Sequence, residues 1–113
     1  MSVLLEFAMF PTSDDCREGN NSSSVSRQVS RIIDMIDNSG VNYQLTPMGT
    51  IIEVDDIKDA LNIVEKAYEC LSDCDRIYSM LKFDIRKSKT NRLKQKIASV
   101  EKHLDKKLNL DIN

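Results

Sequence analysis

Polar and apolar residues alternate along 42–46, and 50–54 is β-branched except for Glu53. A period of two predicts a pair of strands. Between them Pro47 fixes its own φ and holds Thr46 extended, and Gly49 can take φ > 0. Pro47-Met48-Gly49 is therefore a hairpin turn with one exposed methionine at its tip. Upstream, a strand over 3–10 puts Val3, Leu5, Phe7 and Met9 on one face and Leu4, Glu6, Ala8 and Phe10 on the other. Both faces are mostly apolar, which predicts a central strand, and Pro11 ends it. Residues 12–24 are turn formers with little to bury, a loop whose centre at Gly19-Asn20-Asn21 is expected to be mobile. Ser24 caps a helix running to about Ser39, with Val25, Val29, Ile32, Ile33 and Ile36 as its apolar stripe and Gly40 as its stop. Asp55 and Asp56 open a second helix, in which Ile57, Ala60, Leu61, Val64, Ala67, Tyr68 and Leu71 keep helical spacing to near Asp73. Residues 76–87 alternate again: Ile77, Leu81, Phe83 and Ile85 face one way, Tyr78, Met80, Lys82, Asp84 and Arg86 the other. Thr90 then caps a third helix with a narrow stripe of Leu93, Ile97, Val100, Leu104 and Leu108.

The order β, α, β-hairpin, α, β, α is that of an α+β, ferredoxin-like βαββαβ antiparallel sheet with helices on one face, plus an extra C-terminal helix. At 113 residues the chain reads as one domain, 1–113, with a loop insertion at 13–23. The sheet face away from the helices would show Leu4, Glu6, Ala8, Phe10, Asn42, Gln44, Ile51, Glu53, Tyr78, Met80, Lys82, Asp84 and Arg86. It is too apolar to be simply wet and too polar for a plain core, so it predicts an interface or a ligand site. One alternative stacks it on another subunit, with Glu6 and Lys82 paired across neighbouring strands. The other leaves a small-molecule pocket within that interface, where Glu6 or Glu53 meets a cationic or amine-bearing ligand and Phe10 or Tyr43 stacks on a flat ring. In this register Tyr43 faces the helices, so it reaches a ligand only near the strand end.

Net charge is −2, which gives the whole chain no strong attraction to nucleic acid. The run from Arg86 to Lys96 carries six basic residues and no acid. With no aromatic residue interleaved, it is expected to be a solvated helix start rather than a nucleic-acid site. No apolar run approaches the ~20 residues of a membrane span. The apolar start at 1–10 contains Glu6 and has no basic flank, so it is expected as a strand and not as a leader. Cys16, Cys70 and Cys74 are odd in number and match no paired spacing. They are expected as free thiols in a reducing compartment, the cytoplasm. A zinc site from these and His103 matches no structural pattern. No catalytic triad, P-loop or acid–base pair is present, and no enzyme activity, metal or cofactor is expected.

Three stretches together resemble the thiamine-binding protein family: Phe10-Pro11-Thr12, the hairpin from Tyr43 to Glu53, and Arg86-Lys87-Ser88 leading through Arg92-Leu93 to 99–104. The resemblance covers nearly the whole chain except 14–23, and the polar insertion and tail resemble those of a fungal member. It implies a ferredoxin-like sandwich that assembles through its sheets into homodimers and a homotetramer. It also implies binding of thiamine, or its hydroxymethylpyrimidine moiety, without chemistry. The family pattern around Tyr43, Met48, Gly49, Thr50 and Glu53 is intact; with Glu6 and Phe10 of the open face, Thr12 for a ligand's polar edge and Arg86 for a phosphorylated form, these are the expected ligand-binding residues. The alternative is a structural or regulatory homotetramer with no ligand.

Overall fold

The structure, a computed structural model, describes residues 1–16 and 26–108. Its elements are β1 (Ser2–Pro11), α1 (Ser26–Ser39), β2 (Asn42–Thr46), β3 (Gly49–Val54), α2 (Ile57–Cys70), β4 (Ile77–Arg86) and α3 (Arg92–Leu104). The order and type match the hydrophobic pattern throughout. The expected Ser24 cap and the Gly19-Asn20-Asn21 loop centre lie outside the described residues.

The four strands form one antiparallel sheet in the order β2-β3-β1-β4. β1 is central, as its two apolar faces require. Val3, Leu5, Phe7 and Met9 are buried with Ile52 of β3 beneath Ile32 and Ile36 of α1 and Ala60, Ile63 and Ala67 of α2. Ala60, Ala67 and Leu71 of the expected α2 stripe are buried, and Ile57 and Val64 pack against them. Ile63, outside that stripe, is buried too, while Leu61 and Tyr68 are exposed. Asp56 caps α2, its carboxylate accepting the Lys58 N–H at 3.1 Å.

β4 is an edge strand. Ile77 and Phe83 of its expected core face are half-buried, but Leu81 and Ile85 stay exposed, since α1 and α2 lie over β1 and β3 and do not reach the edge. Cys16 and Cys74 form a disulfide, Cα–Cα 4.9 Å, across 58 residues of sequence. This corrects the expectation of three free thiols. Sequence spacing cannot reveal that the chain after β1 and the α2–β4 connection meet at one corner. The carbonyl of Cys16 also accepts from the buried Gln28 side chain at 2.7 Å, which ties α1 to the same corner. Cys70 alone remains a thiol, half-buried, and burial pushes it above its ordinary value.

Thr90 is not the cap of α3. Asn91, with φ 55°, takes the N-cap position and makes no side-chain cap bond. The cap comes from elsewhere, as described below, and it seats the start of α3 over one end of the face that α1 and α2 leave open.

Candidate functional site

The hairpin is shorter than the strand it pairs with. β3 follows β1 from Val54↔Val3 to Thr50↔Phe7, and then the chain turns back at Pro47–Met48. The turn is held by Thr46, whose hydroxyl donates to the Gly49 carbonyl at 2.9 Å and accepts the Met48 N–H at 3.2 Å. β1 continues to Pro11 with only β4 beside it. The mismatch leaves a notch in the sheet beyond the hairpin tip, a cavity of about 330 Å³. Its walls are 7–10 of β1, 45–50 of the hairpin, Val29, Ile32 and Ile33 of α1, and Met80 of β4. None of these side chains titrates.

Gly49 is needed here both for its positive φ, as expected, and for close approach. Its φ of +159° is one that residues with a side chain rarely adopt, and a Cβ would stand 2.9 Å from the Phe7 carbonyl oxygen. Met48 is 87% exposed at the tip, and Thr50 is buried beneath it. Phe10 stacks on Tyr78 across the strand pair, ring centroids 6.1 Å apart. Through Ala8, Met48 and Met80 the notch adjoins a hollow of about 310 Å³ on the open face. Glu6 and Lys82 line that hollow and pair at 3.3 Å, the cross-strand contact that the alternation predicted.

Phe10, Met48, Gly49 and Thr50 thus meet at the notch, and Glu6 lies on the adjoining hollow. The other expected residues are placed elsewhere. Thr12 continues the β1–β4 ladder, its N–H donating to the Arg76 carbonyl at 2.8 Å. Tyr43 is behind the sheet, as its register implied, and donates to the Asp37 carboxylate at 2.9 Å. That hydrogen bond, with burial and the Asp37 charge, holds the Tyr43 phenol above its ordinary value.

Glu53 and Arg86 are at the far end of the sheet. Glu53 is no free acceptor for a ligand amine. It accepts the Ser2 hydroxyl and the N–H groups of Arg92 at 2.7 Å and Leu93 at 3.1 Å, so it caps α3 from another strand. Burial pushes its carboxyl up. The Ser2 bond, the two N–H donors and the Arg92 charge together outweigh that and hold it below its ordinary 4.5. Arg92 completes the knot, its guanidinium on Ser2 and on the Asp84 carboxylate at 2.9 Å. Arg86 lines a basic hollow of about 480 Å³ with Lys89, Arg92 and Lys96. The anchoring role of Arg92 is invisible in the sequence, where it is one of six positive charges in a run. Thr46 and Met80 could have been found, the first as a turn hydroxyl before Pro47 and the second from its place on the open face. Val29 and Ile33 could not, because helical spacing assigns them to the core.

The thiamine-binding protein family model matches residues 6–101. A UPF0045 protein of Methanothermobacter thermautotrophicus is 30% identical over 88 residues, covering 76% of this chain and 89% of its own. One of Mycobacterium bovis is 31% identical over 105 residues, covering 92% and 96%. Among solved structures, a hypothetical protein of Methanocaldococcus jannaschii superposes with a TM-score of 0.71 at 28% identity, over 88% of this chain and 95% of that one. A Thermotoga maritima protein provisionally assigned to thiamine biosynthesis or salvage gives 0.69 at 17% identity, over 88% and 99%, which is a likeness of fold alone.

Proposed function

Because the chain belongs to the thiamine-binding protein family, we propose that it binds thiamine, or its hydroxymethylpyrimidine moiety, without chemistry, as a cytoplasmic homo-oligomer. The observation that carries this reading is the notch at the hairpin tip. It is mostly apolar, of ligand size, and formed by Phe10, Met48, Gly49 and Thr50 from the stretches that resemble the family. A mostly apolar notch with the two hydroxyls of Thr46 and Thr50 on its walls suits holding a flat ring. Thiamine brings a flat aminopyrimidine and a cationic thiazolium. The notch takes the flat ring. Phe10 and Tyr78 offer ring faces to the cation, an attraction of about 0.5–2 kcal/mol, and Glu6 on the adjoining hollow supplies a counter-charge. Glu53, Thr12, Tyr43 and Arg86 drop out of the proposed contacts because of where they sit.

Calorimetry and thermal shift with thiamine and hydroxymethylpyrimidine test this. Binding to the folded state raises the melting temperature, and Ala8→Phe, which fills the wall shared by notch and hollow, abolishes both heat and shift. Absence of heat and shift at millimolar ligand in the unaltered protein would falsify it.

A structural or regulatory homotetramer without a ligand is the second reading. It is favoured by the large apolar side chains left on the open face, Tyr78 at 51% and Met80 at 56% exposure. Native mass spectrometry of protein taken from cells separates the two. A four-subunit mass with no retained small molecule, and no heat from either ligand, supports the second.

A further inference from the structure

We propose that the main chain of Met9, through its N–H and C=O together, is the recognition edge of the notch, and that it reads a heteroaromatic ring carrying an amine beside an acceptor ring nitrogen. The proposal deepens the thiamine-binding reading and rests on it.

Alternate residues of a strand direct their main-chain groups to opposite neighbours. The Thr12 N–H donates to Arg76, in register with Phe10↔Tyr78 and Ala8↔Met80, so the even-numbered residues of β1 address β4. The odd-numbered ones address β3, consistent with the Phe7 carbonyl lying against Gly49. Val3, Leu5 and Phe7 each have a β3 residue opposite, and Met9 has none, since the hairpin has already turned. Among the described residues no loop, turn or side-chain hydrogen bond replaces it. Met9 is only 7% exposed and lines the notch. A main-chain donor and acceptor are therefore held side by side at a mostly apolar wall, where leaving them unpaired is costly.

The missing partner is small. The next residue of β1 on that side is Pro11, which has no N–H, so past Met9 the edge has no further donor to give an added strand. One donor and one acceptor, side by side, match a 4-aminopyrimidine. The Met9 N–H donates to the ring nitrogen next to the amine, and the amine donates to the Met9 carbonyl. The ligand takes the place of one residue of β3.

The test uses thiamine and three analogues: one without the 4-amine, one with C–H in place of the ring nitrogen beside that amine, and one with C–H in place of the other ring nitrogen. The first two are expected to bind at least about tenfold more weakly than thiamine, the worth of one hydrogen bond, and the third to bind like thiamine. Amide hydrogen exchange by NMR supplies the structural readout. In the free protein the Met9 amide exchanges faster than those of Leu5 and Phe7, and thiamine slows it. If thiamine binds but all three analogues bind equally, or the Met9 amide is protected without ligand, the edge is not read and the proposal fails while the binding reading survives. If neither thiamine nor any analogue binds, the binding reading fails and takes the proposal with it.

Discussion

Glu53 shows how much one carboxylate can organise. Its two oxygens take a hydroxyl and two helix N–H groups from parts of the chain 39 to 51 residues away. Glu53→Gln removes the charge from that network and is expected to cost about 1–3 kcal/mol. The pH dependence has a definite sign. A carboxyl held below its ordinary 4.5 in the folded state adds stability above that value, and the addition is lost as pH falls through the folded value. Urea unfolding of both proteins should show a gap that is widest at neutral pH and shrinks below about pH 4. A gap that holds constant into acid would show that the charge does not matter. Gly49→Ala tests the other critical residue. A Cβ 2.9 Å from the Phe7 carbonyl forces hairpin and β1 apart, at about 1–3 kcal/mol, read as a lower melting temperature and, if the notch is the site, weaker thiamine binding.

At the scale of elements, α3 and the disulfide corner are the parts that depend on distant partners. α3 has 13 residues and no buried one, too short to be more than marginal as an isolated helix. Its hold is the Glu53–Arg92 knot at its N-terminus. Arg92→Ala is expected to melt α3 while β1–β4, α1 and α2 persist, seen as amide exchange that rises across 92–104 and nowhere else. Unfolding of the whole domain instead would mean α3 is part of the core. The Cys16–Cys74 bond closes 58 residues, and reduction should cost about 2–4 kcal/mol through the unfolded chain, measured as a lower urea midpoint with dithiothreitol. The bond is expected to persist in protein taken from cells, with Cys70 alone open to alkylation. Acid-trapping and alkylation checks this, and labelling of all three cysteines without a reductant would show that the bond does not form there.

The whole molecule leaves its open face unfinished. Phe10, Tyr78 and Met80 form an apolar stretch beside the Glu6–Lys82 pair, and the start of α3 covers only the opposite end. The proposed homotetramer covers it with a second copy, and light scattering should then report four times the 12.9 kDa of one chain. Met80→Asp puts a charge into that contact and is expected to shift the mass to smaller species. A lone-subunit mass for the unaltered protein would remove the interface and, with it, the enclosed setting of the notch.

The sequence alone determined the order and kind of every described element, the central place of β1, the cap of α2 and the hairpin at Pro47-Met48, because these depend on period and on neighbours a few residues apart. It also determined the family, since the stretches that resemble it lie in continuous runs. Only the tertiary structure decided that Glu53 caps a helix, that Arg92 anchors it, and that Cys16 meets Cys74, because each joins residues that no spacing rule connects. The notch has the same origin. It is a difference in length between two strands, and such a gap exists only once they lie side by side.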